Sequence, residues 1–212
     1  MSACSLRLFR DRLGPASLRL APAARVLYAH TGDVVVTHEG VTASLPTGTA
    51  WHGAGACTAG AAAGEAIVLR WELVRAEDGR AGELVLEQAM DLAPGGAWLM
   101  RCDRVDFDPG GVALPHRHRG GGIRCLVTGA LEVTVGDEPP RSVRPGGAWF
   151  ESGREPVLAR ASATEPTSFV RVSILPAEIR GRSSILYVDP ADAAAGRPRR
   201  YTVWVDAPIV LP

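Results

Sequence analysis

Two histidines one residue apart, His116 and His118, sit in the run Gly110-Gly111-Val112-Ala113-Leu114-Pro115-His116-Arg117-His118-Arg119-Gly120-Gly121-Gly122-Ile123-Arg124. On an extended segment, residues i and i+2 point to the same side. The two imidazoles can therefore share one cation or one substrate. Alone they hold a divalent ion weakly, because catalytic metal sites take three protein ligands. A third ligand could come from Glu151, Glu155 or Cys125, or from another part of the chain or a second subunit.

Short apolar runs must position these side chains. Residues 34–36, 66–69, 82–86, 131–135 and 169–174 read as strands. Gly- and Pro-rich turns separate them at 31–33, 39–40, 78–79, 136–140 and 145–147. Long helical periodicity is absent. Many short strands between such turns argue an all-β sandwich or barrel.

The run from Gly110 to Gly129 resembles the first motif of the cupin superfamily: a Gly, five residues, His-x-His, three or four residues, Glu, six residues, Gly. Gly110, His116, His118 and Gly129 match it, and Gly122 stands where the family has its Glu. The resemblance implies a double-stranded β-helix, or jelly roll. An internal repeat extends it. Thr31-Gly32 precedes Ala50-Trp51-His52-Gly53, and Thr128-Gly129 precedes Ala148-Trp149-Phe150-Glu151, with Gly-to-Trp spacings of 19 and 20 residues. Each copy then reaches a strand with an arginine, Arg70 or Arg171. The expectation is a bicupin: a degenerate barrel over residues 1–80, a barrel with His-x-His over 81–180, and a tail over 181–212. The tail strands at 184–188 and 201–205 would return to cover a sheet edge, with a polar link at 191–200 between them. Arg19 and Ala21 take the places of His116 and His118 in the first copy, so that copy is expected to be structural or dimerising.

A typical cupin offers three His and one Glu to Fe, Mn, Ni, Cu or Zn. The second motif aligns with 145–157 and puts the family's last His near Val157, and no His follows His118. The resemblance thus implies His116 and His118 as metal ligands for one divalent transition metal, with Glu151 best placed to complete the set. Glu151 is equally readable as an Arg-paired or solvated carboxylate at the barrel rim. Arg124 shares a strand face with 122 and 126, so it faces inward if the family's Glu position does. A guanidinium beside two imidazoles fits a carboxylate, and Arg171 could join it, although its repeat partner Arg70 suggests a structural role instead. Such a cation also opposes a metal. Trp149 and Trp51 read as core or pocket-wall aromatics. Cys125 reads as a buried residue of the opposite face. Arg197, Arg199 and Arg200 read as a solvated cluster.

Composition bounds the rest. The chain has 212 residues, 46% apolar, with 23 basic and 23 acidic side chains. That balance gives no electrostatic reason for nucleic acid or an anionic membrane. Every basic residue is Arg, and the absence of Lys excludes Schiff-base chemistry. Cys4, Cys57, Cys102 and Cys125 form no CxxC pair, as in a reduced, cytoplasmic protein. Neither a signal peptide nor an apolar run of about 20 residues is present. A homodimer is the default expectation.

Three functions follow. The first, narrowly ahead, is a metal-dependent enzyme on a small molecule, of dioxygenase, decarboxylase or isomerase class. The second is a metal-free binding module for a small carboxylate or sugar acid. The third is a structural bicupin with a vestigial pocket.

Overall fold

A computed structural model describes residues 4–194 and 199–212. The strands are β1 (Cys4–Leu13), β2 (Leu18–Leu20), β3 (Ala24–Thr31), β4 (Val34–His38), β5 (Val41–Leu45), β6 (Ala50–Gly53), β7 (Cys57–Ala61), β8 (Ala66–Arg75) and β9 (Glu83–Met90). They continue as β10 (Trp98–Phe107), β11 (Val112–His118), β12 (Gly122–Thr128), β13 (Leu131–Val135), β14 (Arg141–Val143), β15 (Ala148–Glu151), β16 (Val157–Ala161), β17 (Thr167–Pro176), β18 (Ile185–Tyr187) and β19 (Arg199–Ile209). Single 3-10 turns at Ala177–Ile179 and Pro190–Ala194 are the helical elements among the described residues.

The chain divides into two compact units. The first runs to Gly96 and takes in Ile209–Pro212; the second is Ala97–Pro208. The first unit has sheets ordered β6-β3-β8-β1-β9 and β2-β7-β4-β5. The second has β15-β12-β17-β10-β19 and β14-β13-β16-β11-β18. β10 to β17 thus repeat the sheet positions of β1 to β8, and β19 takes the edge that β9 takes in the first unit. β18 has no counterpart there. Residues 83–86, grouped with the second copy in sequence, lie in β9 and pair with β1 of the first unit. Arg197 and the rest of 195–198 lie outside the described residues.

Alternation sets the strands' faces. In β13, Leu131 and Val133 are buried while Glu132 between them is exposed. Leu126, Leu131, Val133, Trp149, Val157 and Phe169 join in the core between the second unit's sheets. Leu27, Val34, Val36, Leu45, Ala59 and Val68 do the same in the first. The paired Thr-Gly dipeptides mark equivalent turns. Gly32 and Gly129 have φ of +72° and +75°, and a Cβ would lie 2.6 Å from Glu65 O in one and 2.5 Å from Pro166 O in the other. Only glycine fits both demands.

Candidate functional site

β11 pairs regularly with β16 at Val112 and Ala113, then shifts register before His116. The bulge re-aims the strand, so that Ala113, His116 and His118 are all buried while Arg117 is exposed. The imidazoles meet edge to face, 4.9 Å between centroids. His116 donates its Nδ1–H to Leu114 O (2.7 Å). His118 Nδ1 lies 3.3 Å from Ser184 Oγ. Its Nε2 lies 3.3 Å from Glu151 Oε2 and 3.4 Å from Arg171 Nη1. A neutral ring satisfies one of these two at a time.

β12, β15 and β17 supply the charged wall. Arg124 lies opposite Trp149 on one side and Arg171 on the other. Its Nη2 meets Glu151 Oε2 at 2.7 Å, and its Nη1 donates to Gly122 O. Trp149 donates its indole N–H to Glu151 Oε1 at 2.8 Å. Oε1 is thus hydrogen-bonded, while Oε2 is held by charge and, like Arg124 Nη2, has no aligned hydrogen-bond partner among the described residues. Arg171 grips Asp103 of β10 with two bonds, Nε to Oδ1 at 2.7 Å and Nη2 to Oδ2 at 3.0 Å.

The electrostatics follow from burial. Burial pushes the His118 pKa down to about 3, with Arg171 and Arg124 adding to the shift against Glu151. His116 is lowered too, first by burial, then by Arg199 and Arg171. Both rings are neutral at pH 7. Burial alone would raise Glu151; the adjacent Arg124, with help from His118 and Trp149, instead holds it far below the usual carboxylate range. Arg124, lowered to about 10 mainly by burial, still carries its charge.

His116, His118, Arg124, Glu151, Arg171 and Trp149 thus come together around one interior space of about 20 Å³. That volume admits about one water. Glu155 does not join them; it is exposed and bonded to the Ser152 hydroxyl. Cys125, one residue from Arg124, is buried with its thiol directed to Leu126 O. A second, open cavity of about 380 Å³ is lined by Arg101, Arg171, Arg182, Ser184, Tyr201 and Val203, among others. Arg171 and Tyr201 are common to both spaces.

Sequence reasoning missed Asp103, Ser184, Tyr201 and Arg199. The first three carry no motif. Arg199, read as solvated, is 7% exposed and lines the inner space. Its neighbour Arg200 does stay at the surface, facing Asp108. The difference is strand alternation in β19, where every second residue faces the barrel.

Solved structures with this architecture include a deletion mutant of oxalate decarboxylase OxdC from Bacillus subtilis, with TM-score 0.64 and 13% identity over 91% of this chain and 73% of that one. Salicylate 1,2-dioxygenase from Pseudaminobacter salicylatoxidans matches with TM-score 0.59 and 12% identity over 94% and 75%. A cupin 2 conserved barrel domain protein from Leptotrichia buccalis matches with TM-score 0.51 and 16% identity over 82% and 84%. The fold is that of a bicupin. No family model matches the sequence, and no curated protein is similar to it.

The cupin resemblance implies a metal, and the donors here do not suit one. Among the described residues no three His, Cys, Asp or Glu side chains converge as a metal set. Glu151 is committed to Arg124 and Trp149, and two guanidinium groups face His118. At the family's Glu position, a Cβ on Gly122 would lie 2.4 Å from Val172 O. The first unit also buries side-chain ion pairs beside its apolar core. Glu72 bridges Arg25 (2.9 Å) and Arg70 (2.7 Å), and Arg70 also holds Asp11 (2.6 Å). By register, the counterpart of His116 there is Leu20, opposite Cys57 as His116 is opposite Val157. Counting back from Gly32 gives Arg19 instead, because the stretch from His116 to Arg124 is one residue longer than its counterpart from Leu20 to Leu27.

Proposed function

We propose that the second barrel binds a small organic acid without a metal, with the ligand lying in the 380 Å³ cavity against Arg171. The observation that carries this reading is that cavity, whose inner wall is a buried guanidinium adjoining the His118 imidazole. Its size falls within the roughly 300–1,000 Å³ of small-molecule pockets. Ile185, Val203 and Tyr201 offer apolar surface and Arg182, Ser183 and Ser184 offer donors, while the lining carboxylates Asp103 and Asp206 are taken up by Arg171 and Arg101. A carboxylate with a short apolar body suits both the apolar surface and the donors. Two of the structural neighbours are named for oxalate and salicylate, which are small carboxylates.

Ser184, His118 and Glu151 stand in line like a nucleophile, base and acid, 3.3 Å at each step. This line favours binding over hydrolysis. A general base works best with a pKa near the operating pH, and His118 at about 3 is too weak to take the serine proton.

Thermal unfolding in chelator-treated buffer, with a panel of aliphatic and aromatic carboxylates, tests the proposal. A binding acid raises Tm with concentration, since ligand at 100 times Kd adds about 2.7 kcal/mol. Val203→Trp, at a half-exposed wall position, is expected to fill the cavity and abolish the response. A response that appears only with added Fe, Mn, Ni, Cu or Zn would restore the metal-enzyme reading and remove this one.

A further inference from the structure

We infer that Arg199 supplies the unbalanced positive charge of the second barrel's ligand site, drawing the carboxylate of the bound acid to the Tyr201 wall that the cavity shares with the inner space. The inference rests on the acid-binding reading and adds which group receives the charge. Seven arginines are buried in the described residues: Arg7, Arg25, Arg70, Arg101, Arg124, Arg171 and Arg199. Six of them pair with a carboxylate, namely Glu87, Glu72, Asp11, Asp206, Glu151 and Asp103 in that order. Arg199 has none among the described residues. Its Nε donates to Tyr201 OH, its Nη2 to Tyr187 OH at 3.1 Å and its Nη1 to Val112 O at 3.4 Å. Those acceptors satisfy the N–H groups but carry no compensating charge. A buried, uncompensated charge is costly, and this chain avoids it at the six other positions. An anion arriving from outside supplies what Arg199 lacks.

Placement supports the same conclusion. Arg199 and Tyr201 line the inner space together with His116. Tyr201 and Arg171 also line the 380 Å³ cavity, so the space that holds Arg199 and the space that holds the acid's body share one wall. Tyr187 belongs to β18, the strand that the first unit lacks. The unbalanced charge is thus a property of the second barrel alone. Arg199 also clips β18 to β19 through the two phenols, and that role needs donors rather than charge.

Arg199→Gln separates the two roles, because it keeps donors and removes charge. Titrations of the full chain at pH 7 and constant ionic strength use benzoate, acetate, chloride and benzyl alcohol, read by calorimetry and thermal shift. Benzoate is expected to bind most tightly, acetate more weakly, and benzyl alcohol without measurable effect. Arg199→Gln should weaken benzoate about tenfold, the loss expected when a charge acting across a partly buried wall is removed. Tyr201→Phe keeps the charge, removes one hydroxyl from the seat and should weaken benzoate less; it carries the test if the Gln variant does not fold. Unchanged benzoate affinity in whichever variants fold overturns the inference. Affinity kept in Arg199→Gln but lost in Val203→Trp leaves the cavity reading standing and removes Arg199 as the source of that charge. Equal responses to chloride and benzoate reduce the seat to one for inorganic ions and overturn the organic acid.

Discussion

The Arg124–Glu151 pair shows why single residues here are coupled. Neither charge touches bulk water, so each depends on the other. Removing one partner of a buried pair costs about 3–5 kcal/mol, whereas replacing both with apolar groups is often close to neutral. Arg124→Ala is therefore expected to lose stability on that scale in urea unfolding, and Arg124→Met with Glu151→Met to regain most of it. Additive losses in the double variant would mean that the pair is not coupled. His118 gives a second expectation. Its pKa is about 3 folded, against an ordinary 6.5, so between those pH values the unfolded chain binds a proton that the folded chain does not. Stability then falls as pH falls, by up to about 5 kcal/mol at 1.36 kcal/mol per pKa unit. Glu151, depressed below its ordinary value, acts in the same direction at lower pH. Urea midpoints at pH 7 and 4 should differ markedly, and His118→Gln should flatten the difference.

Strands, bulges and glycines determine which residues reach the interior. The His-x-His pair was legible because alternation puts i and i+2 on one face whatever surrounds them. The bulge before His116 was not, because it is defined by pairing with β16. Gly122 illustrates the same limit. In sequence it reads as a lost ligand; in the sheet, Val172 O and Ser173 Oγ leave no room for a Cβ, at 2.4 and 2.6 Å. Gly122→Ala is expected to cost about 1–3 kcal/mol through overpacking, measured as a lower urea midpoint. Gly122→Glu should fold worse still and fail to build the family's carboxylate ligand. β18 and β19 matter similarly. Both read as edge cover in sequence, yet they bring Tyr187, Arg199 and Tyr201 to the site, with Ser184 just before β18.

At the scale of the whole chain, two units share one strand plan and differ in what fills them. The first unit's interior carries Arg25, Glu72, Arg70 and Asp11 in one continuous ion network. Glu72→Ala leaves two buried guanidinium groups short of a partner, so it should destabilise that unit by about 3–5 kcal/mol while acid binding by the second unit persists. Loss of both together would show that the units do not work independently.

Composition, turn chemistry and the repeated Gly-to-Trp spacing were enough to give an all-β chain built twice on one plan, because strand period and left-handed glycine turns are local properties. Alternation put His116 and His118 forward as a pair and Arg124 on the inward face, while Glu151 came from the resemblance to the second cupin motif and Arg171 from the internal repeat. Which guanidinium meets which carboxylate was decided only by tertiary structure, since Arg171 finds Asp103 across 68 residues and Arg124 finds Glu151 across a strand pair. The burial of Arg199 is of the same kind: an arginine next to another arginine reads as surface until a sheet edge turns one of them inward.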